Sequence, residues 1–231
     1  MADQTGTLLY ELSTWFEATH ATDILHNWPL LAKGLAATLT LACVVYGASL
    51  VLAMLVSLVR HYRVPVLGRL ADAYVYGLRS IPLIMLIALM HYGVLPWLGL
   101  QYSFFFSAFA AFCLSTVAYM AEIFRGGFES LRPEELESAA SIGLSPLQQL
   151  LYVMVPLIVI RILPALINQG VTLIKDTSLA SIIGVIELTR SAEIIYERTL
   201  HEITLLVFIA MVYFLLCTTL NQLARKLERP L

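Results

Sequence analysis

The chain has 231 residues, of which 59% are apolar and only 13% charged, with a mean hydropathy of +0.82 and a formal net charge of −2. A water-soluble domain carries roughly 25% charged residues, so this composition excludes a globule covered by polar surface, and the near-neutral balance excludes a nucleic-acid binder working by bulk charge. Three cysteines, Cys43, Cys113 and Cys217, lie far apart in apolar runs and read as small buried hydrophobes, not as disulfide or metal ligands.

In chain order, residues 1–30 form an outer segment. Leu8, Leu9, Leu12, Trp15 and Phe16 recur at helical spacing, which predicts an amphipathic helix over 7–20 lying on a membrane surface. No basic region precedes it, so it is not a cleavable signal peptide. A transmembrane helix needs about 20 apolar residues. The charge-free run 34–59 supplies one, and the run 80–121 supplies two around the turn GVLPWLGLQYS. Pro82 predicts a kink early in the second span; Tyr92, Trp97 and Tyr102 read as interfacial aromatics. A fourth span covers about 150–174, interrupted by Arg161 and Pro164, and a fifth covers 203–224. The expected fold is an all-α integral membrane protein with about five transmembrane helices in a domain 31–224, followed by a tail 225–231.

Five spans put the termini on opposite sides. With the N-terminus outside, the cytoplasmic pieces hold Arg60, Arg63 and Arg69, then Arg125 and Arg132, then Arg225, Lys226 and Arg229. The positive-inside rule favours that orientation, although Lys175, Arg190 and Arg198 count against it.

Between the third and fourth spans lies the polar loop 125–149, with PEELESAASIGLSPLQQ at its heart. Pro133 suits a first helical turn, and Glu134 and Glu135 suit the positive end of the helix dipole. Leu136, Ala139, Ala140 and Gly143 share one face, Gly143 fits a left-handed helix end, and Ser145 with Gln148 has capping-box spacing for the next helix. The result is a small helix of the shape that docks into a partner's groove, or simply a well-capped loop. A DNA-reading helix-turn-helix is excluded, because the second helix has no Lys or Arg before Arg161 and the first is acidic.

Glu137-Ser138-Ala139, Gly143 after three residues, and Val153-Met154-Val155-Pro156 after nine more resemble the EAA motif of ABC-transporter permeases. Ser138 replaces the middle alanine of that motif, and valines replace its Ile and Leu. LRSIPLIM at 78–85, YMAEIFRGGFESL before the motif and RILPALINQGVTLIKDTSLASIIGVIEL after it resemble the polar amino acid uptake subfamily, over roughly residues 30–225. The resemblance implies a bacterial inner-membrane permease subunit. It also implies that the 133–143 helix couples the chain to cytoplasmic P-loop ATPase subunits, which would bind ATP and Mg, with Glu137, Ser138, Ala139 and Gly143 in the coupling segment. A second permease chain and a periplasmic amino-acid-binding protein complete the implied assembly. LRSIPLIM and TRSAEIIYER look most like glutamate/aspartate permeases.

The chain's own chemistry agrees with that division of labour. Its lysines, Lys33, Lys175 and Lys226, complete no P-loop, and its histidines show no ligand spacing, so neither an ATPase nor an enzyme reading has support. Along the fourth span, Arg161, Asn168 and Lys175 fall seven apart on one helical face joined by Thr172, with Asp176, Thr177 and Ser178 following. Ionisable groups in a span usually face protein or water, so this stripe is a candidate substrate path, with the cations for a carboxylate and Asp176 for an ammonium. The alternative is that Lys175 and Asp176 pair structurally, with neighbours or with a second permease subunit. A stand-alone secondary transporter or channel is the competing function class.

Overall fold

A computed structural model describes residues 20–200 and 202–228, and every regular element among them is helical. The helix expected at 7–20 falls almost wholly outside these residues, as do positions 229–231. A short helix α1 (His20–His26) leads into α2 (Trp28–His61), the first span. It starts six residues before the charge-free run because Pro29 suits the first turn and exposed Lys33 is tolerated near a helix end.

The turn after α2 carries two non-glycine residues with positive φ, Arg63 (48°) and Val66 (66°). It leads into α3 (Leu67–Ser80), which joins α4 (Leu83–Trp97) at a bend of 108°. The bend sits where Ile81 and Pro82 are extended, with ψ of 129° and 133°. Pro82 lacks the N–H to continue the ladder and pushes Ile81 out of the helical region. The expected kink is therefore a corner.

Helix α5 (Phe104–Glu129) is capped by Ser103, whose hydroxyl accepts from the Phe106 N–H at 3.1 Å. The loop helix α6 (Pro133–Ser141) follows. Then comes α7 (Pro146–Ile183), which contains a π turn at Leu150–Met154 and ends in a 3-10 stretch at Thr177–Ile183. Another π turn occupies Leu89–Val94 of α4. Each π turn precedes a proline, Pro156 or Pro96, whose missing donor leaves the α ladder one bond short; wider pairing carries the backbone past. Helices α8 (Leu188–Thr199) and α9 (Glu202–Glu228) complete the order. Among the described residues, four helices are long and apolar enough to cross a bilayer, or five with α3–α4 taken as one bent span. That matches the expected all-α membrane architecture.

In lipid, helix association depends on close packing, which favours small residues at the seams. Ala42, Ala53, Ala108, Ala111, Ala118 and Ala121 are buried where α2 runs along α5. One apolar cluster centres on Leu41, Ile87, Phe112 and Leu173; another centres on Met120, Phe124, Ile158 and Ile162. Gly127 sets the closest approach of α5 to α7. A Cβ there would stand 2.6 Å from Ile158 Cγ2 and 2.7 Å from Ile162 Cγ2. The two helices are thus brought together just before the loop that joins them. A third cluster of Leu31, Leu188, Ile195, Leu205 and Ile209 seats α8 between α2 and α9.

Candidate functional site

Helix α6 is built by its caps. Pro133 begins it, and Glu135 Oε2 accepts from the Arg132 N–H at 3.0 Å. Arg161 reaches over from α7. Its Nη2 stands 2.5 Å from Glu135 Oε1, and its Nη1 donates to the Ser130 carbonyl at 2.6 Å. The Arg132 N–H and then the Arg161 guanidinium hold the Glu135 carboxyl below the usual carboxylate range. The start of α6 is thereby clamped to the end of α5 and to α7.

At its other end, Gly143 has φ +80° and donates to the Ala140 carbonyl at 2.9 Å, the left-handed ending its position implied. The reciprocal cap of the next helix is also present: Ser145 Oγ accepts from Gln148 N–H at 3.4 Å, and Gln148 Oε1 accepts from Ser145 N–H at 2.8 Å. Between the caps, Glu137, Ser138 and Gly143 are open to solvent, with Ile142 77% exposed beside them. Ala139 is turned inward, 4% exposed. Residues two apart lie about 200° around a helix, so Glu137 and Ala139 cannot present one face. Glu137 and Gly143 offer the outer surface, and Ala139 seats the helix.

On α7, Asn168, Thr172 and Lys175 are all exposed, although the segment around them is apolar. Asp176 and Ser178 are half-buried and Thr177 is buried. The hydroxyls of Thr172, Thr177 and Ser178 donate to the carbonyls of Asn168, Ile174 and Lys175, at 3.0, 2.6 and 2.7 Å. Lys175 makes no ion pair among the described residues, so the pairing alternative is left to a second permease subunit. Arg161 shares the heptad line but lies about 21 Å along the helix from Lys175. Its donors are already engaged by Glu135 and Ser130, so the structure brings Arg161 to the loop and not to Lys175.

Two polar centres were not singled out as sites from the sequence. Glu122 of α5 meets Arg60, Arg79 and Arg125 from three segments. Glu187, fully buried between α7 and α8, caps α8 through the N–H groups of Thr189 and Arg190 at 2.9 and 2.8 Å. It also accepts hydroxyls from Tyr213 (3.0 Å) and Thr38 (3.4 Å). The signal was available for Glu122, a carboxylate at the edge of a long charge-free run, since such groups require partners.

Residues 49–231 match the family described as the binding-protein-dependent transport system inner membrane component. The chain belongs to this family. It is thus a multi-pass permease component of a transport system, which sets aside the stand-alone transporter. It is 32% identical over 214 residues to the nopaline transport system permease protein NocM of Agrobacterium fabrum, covering 89% of each chain. Against the glutamine transport system permease protein GlnP of Escherichia coli, identity is 29% over 202 residues, 87% of this chain and 92% of GlnP. The fold matches a crystal structure of an amino acid ABC transporter with histidines at a TM-score of 0.85 and 28% identity, covering 93% of this chain and 99% of that one.

Proposed function

We propose that the chain is the transmembrane permease subunit of an ATP-driven importer for polar amino acids. It docks through α6 onto a separate cytoplasmic P-loop ATPase, pairs with a second permease chain and receives substrate from a periplasmic binding protein. The observation that carries this reading is α6: a capped polar helix clamped to two spans by Arg161, with Glu137, Ser138 and Gly143 open for a partner. The names of the relatives supply the amino-acid class. The N-terminus is outside and α6 is cytoplasmic, in keeping with the arginines gathered around Glu122 at the loop end of α5. The domain limits follow: an outer segment 1–30, a transmembrane domain 31–224 with the coupling loop 125–149, and a cytoplasmic tail 225–231.

The test is purification of the tagged chain from its native host in mild detergent. A stoichiometric P-loop ATPase is expected, and a co-purifying permease of different sequence would distinguish a heterodimer from a homodimer. A chain that emerges alone, even after crosslinking at residues 134–144, overturns the reading.

The substrate path runs along Asn168, Thr172 and Lys175 with Asp176, Thr177 and Ser178 beside them. Its polar groups face outward from the monomer, where a second permease would enclose them. Glutamate or aspartate is the finer assignment. It rests on the motif resemblance and on the Lys175 ammonium, which makes no ion pair among the described residues, now without help from Arg161. Loss of a charged hydrogen bond costs about 1.5–3 kcal/mol, so Lys175→Ala should raise the transport KM for an acidic amino acid by about tenfold or more, with Lys175→Arg intermediate. Competition by glutamine in the same uptake assay checks the class. Unchanged KM and kcat in both Lys175→Ala and Asn168→Ala would remove the stripe from the path.

A further inference from the structure

Two sequence segments far apart in the chain, LRSIPLIM and YMAEIFRGGFESL, meet at one carboxylate. Arg79 comes from the first, Glu122 and Arg125 from the second. Glu122 Oε2 lies 3.0 Å from Arg60 Nη1 and 3.7 Å from Arg79 Nη1, while its Oε1 lies 2.6 Å from Arg125 Nη2. Arg60 is also 2.7 Å from Asp72, and Arg125 also pairs with Glu129. Three arginines thus face three carboxylates, and Glu122 is the member common to all three segments. We infer that Glu122 is a positioning residue for coupled transport, tying the mount of the docking helix to the α3–α4 corner of the second span. This rests on the importer reading of α6.

The partners are not equivalent. Without Glu122, Arg60 keeps Asp72 and Arg125 keeps Glu129. Arg79 keeps no carboxylate among the described residues, only the Tyr119 ring with its centroid 5.4 Å away. Arg79 is the penultimate residue of α3, just before the two non-helical residues Ile81 and Pro82. A corner of this kind is a hinge, able to absorb a large backbone change at few residues. On the opposite side, the final turns of α5 carry Glu122 rigidly to Ser130, whose carbonyl is held by Arg161, which in turn holds Glu135 of α6. A displacement of α6 therefore reaches the last turn of α3, next to the hinge, through one stiff helix and one carboxylate; Tyr74 meets α5 more than a turn earlier. Losing that carboxylate removes the charged link beside the hinge, leaving the Tyr74–Leu114 bond farther back on α3 and the clamp on the docking helix in place.

The experiment uses the whole importer in proteoliposomes: permease, ATPase and binding protein. Substrate imported per ATP hydrolysed is measured for Glu122→Gln, Arg79→Gln, their combination and Glu122→Asp, beside the melting temperature of each complex. Residues along a coupling route change coupling by roughly two- to thirtyfold. Glu122→Gln and Arg79→Gln should each lower substrate per ATP within that range, while ATP hydrolysis and melting temperature hold. The double variant should be no worse than the more affected single, because both remove the same link, and Glu122→Asp should recover part of the ratio. An unchanged ratio, an additive double, or transport and hydrolysis falling together with melting temperature would overturn the inference and leave a plain structural strut. Arg79→Gln keeps the test open should Glu122→Gln not assemble. A wild-type complex without binding-protein-stimulated hydrolysis would instead sink the importer reading.

Discussion

Substituting Gly143 should leave the permease folded and cost it its coupling to the ATPase. At φ +80° an L-residue costs roughly 1–2 kcal/mol relative to glycine, and a Cβ there meets nothing within 4 Å. Within this chain the penalty is therefore backbone strain alone, at an exposed loop tip, worth a few degrees of melting temperature. A docked partner changes the balance, because the same exposed position then lies in an interface where one residue can carry 2 kcal/mol or more. Gly143→Asp in the reconstituted complex should lower binding-protein-stimulated ATP hydrolysis by about tenfold or more. Gly143→Asn and Gly143→Ala separate the two causes, since asparagine tolerates the left-handed region better and alanine adds less bulk. If bulk against the partner dominates, alanine will retain more activity; if conformation dominates, asparagine will. Undiminished stimulation in Gly143→Asp would take the docking role away from α6.

Features decided by local rules were legible in the sequence. The charge-free runs located the spans because lipid excludes charge over a fixed thickness. The end of α6 and the start of α7 were legible because a left-handed glycine and a Ser-x-x-Gln box act within four residues of chain. What escaped depends on how helices are rotated and stacked. Arg161, Asn168 and Lys175 do share a helical line, but heptad spacing says nothing of depth, and only the fold shows Glu135 within reach of Arg161. Ala139 was grouped with Glu137 by motif, whereas helix geometry turns them apart. Pro82 announced a break without giving its angle, because the angle is fixed by what α3 packs against: Tyr74 donating to the Leu114 carbonyl at 2.7 Å, and Arg79 held at Glu122.

The ionisable residues within or beside the spans divide into two kinds once the structure is known. Arg60, Arg79 and Arg125 are neutralised by Glu122, Asp72 and Glu129, and Arg161 by Glu135. These groups hold helix ends together. Lys175 makes no ion pair among the described residues, yet it sits on a helix whose other outward residues are largely apolar. A charge on a spanning helix that lacks an ion-pair partner is costly unless water, substrate or a second subunit meets it. That asymmetry, more than the motif, makes Lys175 the cation through which substrate preference should be tested.

The largest loss of stability is expected from Glu187→Ala. The side chain is fully buried and accepts from two backbone N–H groups and two hydroxyls, and the Thr38 hydroxyl in turn accepts from the Leu188 N–H at 3.1 Å. Alanine removes the cap of α8, worth about 0.5–2 kcal/mol, and leaves buried donors unsatisfied at about 1–3 kcal/mol each. Gly34 shows how little room there is for relaxation: a Cβ on it would stand 2.2 Å from Ser191 Oγ and 2.9 Å from the Glu187 carbonyl. Glu187→Gln should be milder, because its amide oxygen can still accept from the Arg190 N–H and the Thr38 and Tyr213 hydroxyls can turn to accept from its NH2, so that of the cap only the Thr189 N–H loses its acceptor. Burial pushes the Glu187 carboxyl above its usual range, against the pull of its hydrogen bonds. For a carboxyl raised in the folded state, the linked stability is fully present below the unfolded value and is lost as pH rises through the folded one. Wild type should therefore lose stability relative to Glu187→Gln as pH climbs from about 4 toward neutrality. Thermal unfolding of the purified chains in one detergent, across that pH range, measures both effects. A Glu187→Ala chain melting within a degree or two of wild type would mean that water, not the joint of α2, α8 and α9, satisfies these donors.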